Sequence, residues 1–209
     1  LEDPPQSFFD TFPTISPVVL KLLYHRNIRT QEAIDEFMNP DYGQDIHDPY
    51  LFVDMEKAVD RIFQAIEANE TITIYGDYDA DGVSAATILS DTIHAIGGEH
   101  NVYLPHRDTE GYGLNGQAVE TLAAEGTNVL ITCDCGISNT EEVAKANEFG
   151  VDVIITDHHH IPDELPKAHA IIHPRLERET YPGKWLARSV FAFKLCQTRL
   201  ILHGSSLKK

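Results

Sequence analysis

The chain has 209 residues, 42% of them apolar, enough for one sizeable globular core or for a domain with an appendage. Its 33 acidic residues against 16 basic ones leave a formal charge of −17, which argues against a free-standing nucleic-acid clamp, because phosphate affinity rests on Lys and Arg. No apolar run approaches a membrane span, no segment reads as a signal peptide, and three cysteines without C-x-x-C spacing point to reduced thiols in a cytoplasm. The chain begins at Leu1, which reads as a mature or excised piece.

Residues 1–54 read as a helical N-terminal segment packing on the core. "SPVVLKLLYHRNI" has helical spacing behind a Ser-Pro start, and "TQEAIDEFMNP" opens on a Thr cap and stops at Pro40. "DMEKAVDRIFQAIEANE" then sets Ala58, Ile62, Phe63 and Ile66 on one face of an amphipathic helix.

After Glu70 the period changes. "TITIYGD", "HNVYLPH", "NVLITCDCG", "VDVIITDHHH" and "AHAIIHP" are short β-branched runs. The helical patterns "GVSAATILSDTIHAIGG", "GQAVETLAAEG" and "NTEEVAKANEFG" lie between them, and "LARSVFAFKLCQTRLILHG" closes the chain as a helix. Nearly fully apolar strands alternating with helices imply an α/β domain over 55–209, a parallel sheet with helices on both faces. Sites in open α/β sheets form beyond the carboxyl ends of the strands. At those ends stand "GDYDADG", "PHR", "CDCG" and "DHHH".

Three carboxylates at alternate positions, Asp77, Asp79 and Asp81, repel one another and add nothing to a core, so a cation is the natural partner. "DYDADG" has the opening of an EF-hand loop, but Ile88 stands where the bidentate Glu belongs and a strand precedes the loop in place of a helix. "GYGLNG" (Gly111 to Gly116) fits G-x-G-x-x-G with Asp134 downstream, yet "RDTE" separates it from its strand, so it reads as a loop shaping a site. His158, His159 and His160 suit either a solvated run or metal ligation; imidazole with carboxylates favours Mn, Fe, Co or Zn, and a carboxylate-rich mixture Mn or Mg. Cys133 and Cys135, if the strand still alternates there, face away from Asp134 as packing residues. A two-metal site unites these pieces: two cations roughly 4 Å apart generate a hydroxide and stabilise the attacking and leaving oxygens at phosphorus. In it the acidic loop supplies terminal ligands, Asp134 bridges, and His158 completes the second metal. Asp157 holds the His158 imidazole from behind in its ligating orientation, and the Gly82 turn offers backbone N–H groups to a phosphate.

"GDYDADG", "CDCG" and "TDHHH", in this order, resemble the DHH phosphoesterase superfamily. "LLYHRNIRTQEAIDEFMNP", "LPHRDTEGYGLN" and "VIITDHHHIPDELPKAHAIIHP" extend the resemblance to its RecJ-type branch of bacterial single-strand-DNA exonucleases, from about Leu20 to Leu195. The resemblance implies a dinuclear Mn²⁺ centre, with Mg²⁺ as a substitute, and 5′-to-3′ hydrolysis of single-stranded DNA in recombination and repair, alongside a helicase and a single-strand-binding protein. It implies Asp77, Asp79, Asp81, Asp134 and His158 as metal ligands, His159 as a ligand or phosphate contact, and Arg107 as a phosphate contact. A further aspartate within a "GTIAD"-like segment, a second domain and a basic module are expected in this family and absent from these 209 residues, so the chain reads as an N-terminal piece. Two other readings stand beside it: a phosphoesterase of the same superfamily acting on short oligonucleotides, cyclic dinucleotides or pyrophosphate, and a non-catalytic scaffold of the Cdc45 type.

Overall fold

The structure, a computed structural model, describes residues 3–43, 45–182 and 188–198. It divides into two compact units, Leu1–His47 and Asp48–Lys209.

The first unit consists of short helices, α1 (Gln6–Thr11), α2 (Pro17–His25) and α3 (Gln31–Met38). Pro17 opens α2, where its missing N–H costs nothing, and the Thr30 hydroxyl caps α3 by accepting the Ala33 N–H at 3.2 Å. Phe8, Phe12, Leu20, Leu23 and Ile34 form a small core of their own.

In the second unit a single 3₁₀ turn (Pro49–Leu51) leads into α4 (Met55–Ala68). Helix and strand then alternate: β1 (Thr71–Gly76), α5 (Ala80–Ala95), β2 (His100–Tyr103), α6 (Gly116–Ala124), β3 (Thr127–Cys133), α7 (Thr140–Glu148), β4 (Asp152–Thr156), β5 (Ala170–Ile172) and α8 (Arg188–Cys196). The strands pair in parallel in the order β2-β1-β3-β4-β5. The expected parallel sheet covered on both faces is therefore present. Of the long helix expected at the end, positions 186–187 and 199–204 lie outside the described residues.

Strand alternation divides the core in two. Ile72, Ile74, Val129, Ile131 and Ile154 face one layer with residues of α4, α5 and α8, while Tyr75, Leu130, Val153 and Ile155 face the other with residues of α6 and α7. The α4 stripe is wider than Ala58, Ile62, Phe63 and Ile66: Met55, Val59 and Ala65 are buried, whereas Phe63 and Ile66 lie at its margin. No helix among the described residues is long and apolar enough to cross a membrane.

Chain order reverses direction between β1 and β3, since β2 lies to one side of β1 and β3, β4 and β5 follow on the other. Such a switch point opens a crevice at the carboxyl ends of its two strands, because the connections leave towards opposite faces. The opposite end of the sheet is tied by Arg61 on α4. Its buried guanidinium bonds Glu70 at 2.7 Å, just before β1, and Asp152 at 2.5 Å, at the start of β4. Arg61→Ala removes this tie far from the crevice and leaves two acidic groups facing each other. The expected loss is about 2 kcal/mol, read as a lower urea midpoint with no change in divalent-cation binding.

Candidate metal centre

Register assembles the site. Gly76 pairs with Cys133, Cys133 with Thr156, and Thr156 with Ile172. The ladder continues one residue further: the Asp77 N–H donates to Cys133 O (3.1 Å), Asp134 to Thr156 O (2.9 Å) and Asp157 to Ile172 O (3.2 Å). Asp77, Asp134, Asp157 and His173 thus form one row across the ends of four neighbouring strands.

Two groups of donors in this region lie close enough to share a cation: Asp77, Asp79 and Asp134, and Asp134, His158 and His159. Within each, the ligand atoms lie within 4.8 Å of one another. Asp134 belongs to both. Its side chain is fully buried and its Oδ1 lies 3.6 Å from His158 Nε2. Burying one carboxylate against two others is unfavourable until positive charge neutralises them. A mixed carboxylate–imidazole set suits a divalent first-row metal and also accommodates Mg²⁺. The donors therefore fit a cation pair.

Local backbone geometry makes this convergence. Asp134 has φ = 65°, a left-handed conformation that Asp tolerates better than most residues. The strand's alternation breaks there. Cys133 packs in the α4/α5/α8 layer and Cys135 in the α6/α7 layer, so they point to opposite faces and not together, as alternation had suggested. Both thiols are buried, and burial raises their pKa well above the usual range, which keeps them protonated and inert as nucleophiles.

Asp79 is the N-cap of α5. Its Oδ1 accepts the N–H groups of Asp81 and Gly82, each at 2.9 Å. The Gly82 N–H, expected to meet a phosphate, is thus engaged by Asp79. Gly82 has a steric role as well, since a Cβ there would stand 2.5 Å from Asp77 O and 2.6 Å from Asp77 N. Only glycine lets α5 start directly against the end of β1. Asp81 belongs to neither donor group among the described residues.

Asp157 lies behind the histidines. Its Oδ1 accepts the N–H of His158 (2.6 Å) and of His159 (3.0 Å) and the His159 Nδ1–H (2.7 Å), while Oδ2 accepts the Ile137 N–H (3.0 Å). Burial pushes its pKa up, but these hydrogen bonds outweigh burial and hold the carboxyl below the ordinary range. The ring that Asp157 holds through Nδ1 is therefore that of His159 and not, as the sequence suggested, that of His158.

The loop after β2 contributes Tyr112, which sequence reasoning missed. Gly111 (φ 79°) and Gly113 (φ 82°) turn the chain back on either side of it. Its hydroxyl donates to Asp134 O at 3.1 Å and lies 2.8 Å from His159 Nδ1. Burial of the hydroxyl and the nearby carboxylates, Asp157 foremost, raise its pKa, so it remains a donor. A tyrosine between two glycines was the available signal. Arg107 is exposed, with its guanidinium carbon 5.2 Å from the Tyr78 ring centroid. His173 and Arg175 were also missed; both reach the carbonyl groups of the histidine segment.

A sequence model of the DHH family, N-terminal domain, matches residues 71–208. Single-stranded-DNA-specific exonuclease RecJ of Bacillus subtilis is 42% identical over 186 residues, covering 89% of this chain and 24% of the relative. The protein of the same name from Thermus thermophilus is 31% identical over 165 residues, covering 78% and 23%. This chain thus spans about a quarter of the length of these relatives. Among solved structures, exonuclease RecJ bound to manganese aligns at TM-score 0.67 and 30% identity, covering 78% of this chain and 40% of the other. A Thermus thermophilus RecJ–Mn²⁺ complex aligns at TM-score 0.69 and 24% identity, covering 100% and 28%, a likeness of fold.

Gly82→Ala is expected to force α5 away from Asp77, because neither partner is a flexible side chain. It should lower stability by about 2 kcal/mol and weaken Mn²⁺ binding, read by thermal melting with and without the metal.

Proposed function

The chain belongs to the DHH family, and from that premise we propose that it holds a pair of divalent cations, Mn²⁺ or Mg²⁺, and hydrolyses phosphodiester bonds of single-stranded DNA from the 5′ end, as part of a RecJ-like exonuclease acting in recombination and repair. The observation that carries this reading is the sharing of Asp134 between the two donor groups. A bound cation pair supplies an activated water and neutralises charge at the attacked phosphorus.

The chain's own residues do the rest. Asp77 and Asp79 would hold one cation from the β1 end and the α5 cap, His158 and His159 would hold the other, and Asp134 would be shared between them. Asp157 orients the His159 ring through its Nδ1. Asp81, in the first turn of α5, is a further carboxylate on that helix. The Tyr112 hydroxyl, kept protonated, steadies the Asp134 turn from the mouth of the crevice. Arg107, exposed on the loop after β2, meets a substrate phosphate with its guanidinium fork in this reading. No protein nucleophile is required, in keeping with the inert thiols. Buried reduced cysteines agree with a cytoplasmic setting. The reading extends to a helicase and a single-strand-binding protein as the partners that deliver the strand.

With its net charge of −17 the chain has little general attraction for DNA, so affinity at the scissile phosphate rests on the cations and Arg107. The test is release of mononucleotides from a 5′-phosphorylated single strand in Mn²⁺, compared with a duplex and a dinucleotide. Asp134→Asn is expected to lower the rate by about a thousandfold, and the long single strand to be preferred. Equal or faster cleavage of the dinucleotide would turn the reading towards a short-oligonucleotide phosphodiesterase. Hydrolysis indifferent to Asp134 would contradict it outright.

A further inference from the structure

His173 lies one residue past β5, in the same cross-strand row as Asp77, Asp134 and Asp157. It is fully buried and belongs to neither donor group among the described residues. Its Nδ1 accepts the Arg175 N–H at 3.2 Å, which makes Nε2 the protonated nitrogen, and Nε2 lies 2.9 Å from His159 O. The Arg175 guanidinium adds bonds to the carbonyls of His158 and of His159, the latter at 3.0 Å. From the other side, Asp157 takes the N–H groups of the same two residues.

A buried histidine often does no more than satisfy its own two nitrogens. Here, however, its donor bond ends on the main chain that carries both imidazoles, and a neighbouring residue repeats the contact. Two peptide N–H groups of the segment are held by Asp157 and its two carbonyls by His173 and Arg175. The segment thus has its orientation set without a ligand taking part. We propose that His173, locked by Arg175, is a positioning residue that fixes the His158–His159 main chain and thereby sets the affinity of the histidine side of the cation pair. This rests on the two-cation reading above.

The consequence is specific. Without the His173 donor, the His159 carbonyl keeps only the Arg175 guanidinium, and the peptide gains freedom that each binding event must remove. Metal affinity falls while the rest of the fold, set by the sheet, persists.

The test is calorimetric titration with Mn²⁺ alone, together with hydrogen exchange over residues 157–160, on the parent, His173→Leu, His173→Gln, Arg175→Ala and Asp134→Ala. The glutamine amide nitrogen reaches the position of Nε2 and still donates. His173→Leu is expected to weaken Mn²⁺ binding by about tenfold or more and to speed exchange of the His158 and His159 amides, whereas His173→Gln stays within about threefold of the parent. Parent-like affinity in His173→Leu, with binding lost in Asp134→Ala, overturns the proposal and leaves the two-cation reading standing. Equal losses in the leucine and glutamine variants also overturn it, because a merely structural role would not distinguish them by donor. If His173→Leu does not fold, Arg175→Ala decides: a loss of about threefold or more supports the clamp, and parent-like affinity overturns it. A parent without Asp134-dependent Mn²⁺ binding overturns the underlying reading instead.

Discussion

One cross-strand register governs this molecule. Because β1, β3, β4 and β5 are parallel and end at the same level, the first residue beyond each falls in a single row: Asp77, Asp134, Asp157 and His173. A parallel sheet presents all its carboxyl ends on one side, and the switch of chain direction between β1 and β3 opens that side precisely where two of these aspartates stand together. A slip of one residue in any strand would send its member of the row to another face and dissolve the site. The apolar layers above and below the sheet therefore act on function indirectly, by holding register.

Around the row, each departure from regular structure brings a donor inward. The left-handed turn at Asp134 breaks strand alternation and leaves a buried carboxylate beside Asp77 and Asp79. Gly82 permits contact between α5 and the β1 end, and Asp79 both caps that helix and faces the crevice. Electrostatic repulsion among these groups opposes the arrangement, and backbone strain adds to it. The sheet core and the hydrogen bonds around Asp157 sustain it until cations neutralise the charge. Rigid scaffold and strained site are the two halves of one design: the first supplies stability that the second consumes.

Much of this was legible in the sequence, for identifiable reasons. Short, nearly fully apolar β-branched runs between helical patterns disclosed the parallel sheet, and the strand-end rule pointed to Asp77, Asp79, Asp134 and His158, which the fold brings into the two donor groups. What escaped notice depends on partners distant along the chain. Tyr112 meets Asp134 and His159 through a loop closed by two left-handed glycines. His173 becomes a neighbour of His159 only once β5 is placed beside β4. The opposite orientations of Cys133 and Cys135 follow from a single dihedral angle that strand patterning does not encode. The Gly82 N–H, open to a phosphate on sequence grounds, is occupied because the Asp79 side chain folds back to cap its own helix.

The central claim is that Asp134 joins its two donor groups into one dinuclear centre. Electron paramagnetic resonance of the chain loaded with two equivalents of Mn²⁺ tests it most directly, because ions bridged by one carboxylate are exchange-coupled. The account predicts a coupled spectrum that Asp134→Ala abolishes. Only the signal of isolated ions, unchanged by that substitution, would contradict it.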